Sequence, residues 1–231
     1  MIRPLPPALN RAETLRYLGG AGKEVPPAVD ALLDRAAAEL WRTAAPRAAI
    51  RRLPADRLTP LLAGRDIAAH LQGCDEGLLL AVTLGAGVDG ALRRAMATDM
   101  AYGVVLDAAA STLVEQLANA LENEQRALLE REGRYLTGRF SPGYGDWPIT
   151  VQPAFVQWLD AGRQAGICST ASCVLTPGKS ITALCGAADH PVKGKLAGCA
   201  TCALRDTCTK RKTCKTCQEL SRPKSIKIWK G

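Results

Sequence analysis

The stretch GRFSPGYGDWP, residues 138–148, carries three glycines and two prolines and can be neither helix nor strand. Within it Pro142-Gly143 sets a turn. Proline presets φ for the first central position, and glycine supplies the positive φ that a type II turn demands at the second. Such a turn presents backbone N–H and C=O groups outward, where they can hydrogen-bond a purine edge or another small ligand. Arg139 stands just before the turn and Tyr144 just after it. An arginine fork grips a carboxylate through two parallel hydrogen bonds. A tyrosine ring can lie flat against an adenine or a sulfonium.

The segments on either side of this loop fix the fold class. Before it, the pattern predicts a long helix over Tyr102–Glu132. Leu106, Ala110, Leu113, Leu117, Leu121 and Leu128 form its core stripe, and Ala108, Ser111, Glu115, Ala118 and Asn119 form a small-residue opposite side. A helix over Val88–Thr98 precedes it. Further back, the run GLLLAVTL (Gly77–Leu84) is short, apolar and bounded by glycine, as a buried strand is. Helices are predicted over Arg65–Leu71 and Pro27–Trp41, the latter opened by Pro26-Pro27. After the loop, Val151–Ala161 reads as helix. Gly166–Val174 and Ser180–Ala187 read as strands joined by a turn at Thr176, Pro177 and Gly178.

Charge and cysteine divide the chain more sharply than hydropathy does. From Lys193 to Gly231 there are 11 Lys and Arg against 2 Asp and Glu, whereas the rest of the chain holds 19 against 20. The composition therefore predicts a body over residues 1–190 and a basic tail over 191–231. At 47% apolar and 23% charged the chain has the balance of a soluble globular protein. No apolar run approaches the roughly 18 residues needed to span a bilayer. The N-terminus lacks a secretory signal pattern, so a cytoplasmic location is expected.

Five of the nine cysteines, Cys199, Cys202, Cys208, Cys214 and Cys217, crowd into the tail. Two CxxC pairs can present four thiolates to one zinc ion, and the same thiols can ligate an iron–sulfur cluster. Lys210, Arg211, Lys212 and Lys215 favour the thiolate form. The spacing predicts a metal site and leaves the metal open. By contrast, Gly85-x-Gly87 lacks the third glycine of a dinucleotide fingerprint, and no phosphate loop is present.

Arg139-Phe140-Ser141-Pro142-Gly143-Tyr144 resembles the Arg-x-x-Pro-Gly-Tyr signature of the activation domain of cobalamin-dependent methionine synthase. Leu15-Arg16-Tyr17-Leu18-Gly19, Thr83-Leu84-Gly85, Leu113-Val114-Glu115 and Leu175–Gly186 look like matching segments of its short, free-standing form, in the same order. The resemblance implies an α+β fold, a twisted and largely antiparallel sheet flanked by helices. It implies a reactivation subunit that binds S-adenosylmethionine and serves the cobalamin carried by a partner, a methionine synthase or other corrinoid protein. A flavodoxin- or ferredoxin-like donor would supply the electron. Arg139 would hold the ligand's carboxylate, backbone groups of Ser141 and Gly143 would contact it, Tyr144 would line the site, and Glu115 would face the ammonium. The chain departs from the long form of the family at Thr170-Ala171-Ser172, where an acidic residue is expected, and at Ala183-Leu184-Cys185, where aromatics are expected. The far wall of the pocket is thereby left unassigned.

Two other readings compete. One is a metal-binding interaction module whose basic tail contacts nucleic acid or an acidic partner. The neutral, aromatic-poor body argues against nucleic acid as its own ligand. The other is a generic S-adenosylmethionine-dependent methyltransferase, for which the expected glycine-rich loop near the N-terminus is missing. A chain of 231 residues has no room for folate, homocysteine and cobalamin modules as well, so an accessory role in methyl transfer is expected.

Overall fold

The computed structural model describes residues 1–20 and 24–194. Its strands are β1 (Arg47–Pro54), β2 (Glu76–Thr83), β3 (Tyr135–Leu136), β4 (Cys168–Ser169), β5 (Leu175–Thr176) and β6 (Ser180–Ala188). Its helices are α1 (Arg11–Tyr17), α2 (Pro27–Thr43), α3 (Arg65–His70), α4 (Ala86–Thr98), α5 (Met100–Arg131), α6 (Gln152–Trp158) and α7 (Ala161–Ala165). The main sheet runs β1-β2-β6-β3 with every neighbour antiparallel, so the α+β expectation holds.

The apolar run in β2 is continuous because both faces of that strand are covered. Leu78, Leu80 and Val82 point into a core shared with α2, α4 and α5. Leu79 and Ala81 point into a second core built with α3, α6, α7 and the 138–148 loop. A strand buried on both sides loses the polar alternation of a half-exposed one. Gly77 leaves room at the end of this strand for Leu58: a Cβ there would lie 2.1 Å from Leu58 Cδ1 and push that side chain aside. Its absence lets the 3₁₀ segment Ala55–Leu61 pack directly on the sheet.

Helix α5 is the spine of the first core. Asp99 caps it by accepting from the N–H of Tyr102. Leu106, Ala110, Leu113, Leu117 and Leu121 are buried as the periodicity predicts. One expectation for this helix is corrected. Leu128 is 44% exposed, because the face of the last turn that packs on the core is the one carrying Leu129, which is buried. Ala108 and Ala118, placed opposite the core stripe, are buried as well. Helices α1, α2 and α4 together with the sheet enclose most of the α5 circumference. What stays accessible on this side is a polar stripe at four-residue spacing, Asp107, Ser111, Glu115 and Asn119.

Other segments differ from the sequence reading. The predicted strand Gly166–Val174 shrinks to β4, because Thr170–Cys173 folds into a tight turn with Cys173 at φ 64°. β4 pairs with β5 in its own hairpin, and β6 leaves for the main sheet. The Thr176-Pro177-Gly178 turn therefore links two sheets. The predicted helix Val151–Ala161 breaks at Asp160, which is left-handed at φ 52°, and α7 restarts beyond it. The sequence reading assigns no element to α1 or β1. Among the described residues no helix is long and apolar enough to cross a membrane. The tail beyond residue 194, with its five cysteines, lies outside the described residues.

These burials predict a sharp contrast within one helix. Leu113→Ala should destabilise the protein by about 2–5 kcal/mol, and Leu128→Ala by less than about 0.5 kcal/mol. Urea denaturation of the two variants measures both. Comparable losses would mean that the α5 packing is misassigned.

Candidate functional site

The 138–148 loop begins as an addition to the sheet. Phe140 and Leu184 exchange two backbone hydrogen bonds of 2.9 and 2.8 Å. The chain then turns at Pro142-Gly143: the N–H of Tyr144 donates to Ser141 O at 3.1 Å, and Gly143 sits at φ +92° as a type II turn requires. The Gly143 N–H donates to Trp147 O at 2.9 Å and closes the loop. Trp147 is 1% exposed, and its indole N–H donates to Leu61 O at 2.8 Å. It packs against Phe140 and Phe155 with ring centroids 6.1 Å apart.

Asp146 locks the loop to α3. Its carboxylate accepts from the backbone N–H groups of Arg65 and Asp66 at 2.9 and 2.8 Å, a cap supplied from 80 residues away. Those N–H bonds, from Asp66 first and Arg65 second, hold the Asp146 carboxyl below its ordinary range. At Gly145 a Cβ would fall 2.0 Å from Asp66 Oδ2, and φ is +55°. Only glycine passes there.

Anchored in this way, the loop lays Arg139 along α5. Its guanidinium donates to Glu122 Oε2 at 3.0 Å, Asn119 Oδ1 at 2.6 Å and Glu115 Oε2 at 3.2 Å. Glu122 also pairs with Arg126 at 2.8 Å, and Arg126 donates to the carbonyls of Leu136 and Thr137. The Arg139 and Glu122 side chains are each 16% exposed, whereas Glu115 is 39% exposed. Glu115 is thus the more exposed of the two carboxylates and makes the longest of the three contacts, while Asn119 is exposed as well. One turn before it, Lys179 pairs with Asp107 and donates to Ser111 Oγ, at 2.8 and 2.9 Å.

The charge of Glu115 acts on two tyrosine phenols. The phenol of Tyr144 is pushed up by burial and then by the negative charge of Glu115. The phenol of Tyr17, at the end of α1, is pushed up by the same two causes in the same order. Both hydroxyls stay neutral and can donate at physiological pH. Behind Arg139 the Cys185 thiol is fully buried, and burial followed by the Glu122 charge pushes its pKa up strongly, so it is an unreactive thiol.

Of the residues named from sequence, Arg139, Glu115 and Tyr144 come together here. Ser141 C=O and Gly143 N–H are used inside the loop, while Ser141 N–H and Gly143 C=O make no backbone hydrogen bond among the described residues. Ala183, Leu184 and Cys185 are fully buried, and Thr170-Ala171-Ser172 sits in the β4–β5 turn. Sequence reasoning gave no role to Glu122, Asp146, Trp147, Lys179 or Tyr17. The Asp107-Ser111-Glu115-Asn119 spacing was the available signal for a polar face on α5. Among the described residues no group of three or more His, Cys, Asp or Glu is arranged to hold a metal ion. Cys199, Cys202, Cys208, Cys214 and Cys217 lie outside them. Elsewhere, a depression of about 350 Å³ is lined by Val156, Asp160, Ile167, Cys168 and neighbours.

No protein-family model matches the chain, and no curated protein matches it. Among solved structures it is similar to one described as the MetH reactivation domain bound to AdoHcy. The likeness has a TM-score of 0.58 at 20% identity and covers 82% of this chain and 76% of that one. The chain therefore has the fold of a methionine synthase activation domain.

The cap on α3 generates a pH prediction. The Asp146 carboxyl is depressed in the folded state, so its contribution is complete above the ordinary carboxylate range and lost as pH falls through the folded value. Asp146→Asn should lower Tm at neutral pH, and the gap from the parent protein should close in acid. Thermal melts at several pH values check this, and a gap that stays constant down to acid would contradict it.

Proposed function

We propose that this protein binds S-adenosylmethionine in the groove between α5 and the 138–148 loop and acts as a reactivation subunit for a cobalamin-dependent methionine synthase. One observation carries the reading. A rigidly anchored Pro-Gly loop delivers Arg139 to the accessible polar stripe of α5, on the fold of a reactivation domain.

The groups in the groove fit the ligand. Arg139 can take the carboxylate as a charge-assisted, bidentate pair. Glu115, the more exposed of the two carboxylates on Arg139, can turn to the ligand's ammonium. The exchange keeps charge matched, since one carboxylate leaves the guanidinium as another arrives. Tyr144 borders the site, and Ser141 N–H and Gly143 C=O, which make no backbone hydrogen bond among the described residues, can serve as donor and acceptor. When bound, S-adenosylmethionine supplies an activated methyl group. The protein's task is then positional: it holds the ligand by its amino-acid end and leaves the methyl facing outward. The acceptor is cobalamin carried by a separate corrinoid protein, and a flavodoxin- or ferredoxin-like donor supplies the electron. The five tail cysteines are proposed as zinc or iron–sulfur ligands on their spacing. Metal analysis and the visible spectrum of the purified full chain test that, and metal-free thiols would remove the assignment.

A Co(II) corrinoid protein should regain methylcobalamin only with this protein, S-adenosylmethionine and a low-potential donor all present. Arg139→Ala should weaken S-adenosylmethionine binding roughly 10- to 150-fold and slow recovery to match at limiting ligand. Absorbance follows the cobalt state. Equal recovery without the protein would rule out the role. Tight binding without methyl reaching cobalt would favour a methyltransferase acting on another substrate.

A further inference from the structure

We propose that Asp107, Ser111 and Lys179 form the ribose-binding end of the groove, where the Asp107 carboxylate accepts from the 2′- and 3′-hydroxyls of the bound nucleoside. The inference rests on the ligand proposed above and adds a second anchor for it, one turn along α5 from the first.

The placement follows from direct contacts. Lys179 Nζ pairs with Asp107 Oδ1 at 2.8 Å and donates to Ser111 Oγ at 2.9 Å. Ser111 precedes Glu115 by four residues on the same helix face, and Glu115 accepts from Arg139 at 3.2 Å. Arg139 and Lys179 are therefore bound to one face of α5, about a turn apart. Four residues of helix rise about 6 Å, and the six bonds from the α-carbon of S-adenosylmethionine to C3′ of its ribose span a comparable length. A ligand with its amino-acid end on Arg139 and Glu115 brings its ribose to Ser111 and Asp107 when it lies toward the start of α5.

The β5–β6 turn that delivers Lys179 is fixed on both sides. The Gly178 N–H donates to Asp89 Oδ2 at 2.8 Å, the Lys179 carbonyl accepts from the Leu84 N–H at 3.0 Å, and Ser180 Oγ donates to Thr83 Oγ1 at 2.8 Å. The Lys179 side chain is 17% exposed, whereas Asp107 is 48% exposed. The lysine thus sits in place, and the carboxylate it orients faces the groove's opening. An ionised carboxylate has about four acceptor sites, so one ammonium leaves room for two hydroxyls. An acidic side chain on the ribose hydroxyls is also how dinucleotide-binding folds read that sugar. A ligand held by its amino-acid end alone can swing about its sulfur. Held at the ribose as well, it presents the methyl group in one direction.

Calorimetric titration of the full chain with S-adenosylhomocysteine and with its 2′,3′-dideoxy counterpart is the test. The parent protein should prefer the ribose form roughly 10-fold. Asp107→Ala should weaken binding of the ribose form roughly 5- to 10-fold and leave the dideoxy counterpart nearly unchanged. An equal loss for both ligands would reduce Asp107 to a tie between the turn and α5 and overturn the proposal. So would an unchanged affinity for the ribose form, or a parent protein that does not distinguish the two. If Asp107→Ala does not fold, Asp107→Asn decides: its amide lacks the charge, so the preference should shrink, and an undiminished preference would overturn the proposal. Failure of the parent protein to bind either ligand would instead defeat the ligand assignment, and the ribose site with it.

Discussion

The Arg139 guanidinium is shared among three acceptors on one face of α5, and this sharing ties the turn-bearing loop to the longest helix. Glu122 holds it from the inner side, and Asn119 and Glu115 hold it from the accessible stripe. Arg126, bound to the same Glu122, in turn secures the carbonyls just before the loop. Breaking such a network at one partner leaves a charge uncompensated in a poorly solvated place, which is far more costly than never having built it. The side chain that would read the ligand is therefore also a side chain that orders the loop.

The fold makes that arrangement possible by spending the rest of α5 on packing. Helices and sheet cover much of its circumference, and its accessible polar stripe runs past the loop and the β5–β6 turn. The loop cannot drift away from the stripe because it is fixed at the other end. Trp147 is buried in the second core and Asp146 caps α3. Phe140 is joined to β6 in the sheet itself. A site of this kind has opposite charges already in contact. Ligand binding exchanges one internal carboxylate for an external one and does not have to create a charge in a dry pocket.

Much of this was legible in the sequence, for identifiable reasons. The Pro142-Gly143 turn has a strict backbone requirement, and the structure meets it. The β2 run announced a strand covered on both faces. Strand β1 was hidden because Arg47, Arg51 and Arg52 interrupt its apolar residues, and only pairing with β2 along its whole length reveals it. On the small side of α5, Ala108 and Ala118 belong to the buried surface, because neighbouring elements pack there that periodicity cannot see. In the site, Arg139, Glu115 and Tyr144 could be named, but Glu122, Asp146 and Tyr17 could not. The roles of Glu122 and Asp146 depend on contacts made across 17 and 80 residues of chain, and Tyr17 comes under the charge of Glu115 only in the folded chain, which local pattern does not encode.

The most direct measurement is a structure of the full chain crystallised with S-adenosylhomocysteine. The account predicts the ligand between α5 and the 138–148 loop, its carboxylate on Arg139, with Glu115 turned from the guanidinium toward the ammonium. A ligand seated elsewhere, such as in the depression lined by Val156, Asp160 and Cys168, would contradict it. So would a ligand in the groove that leaves the contacts of Arg139 with Glu115, Asn119 and Glu122 unchanged.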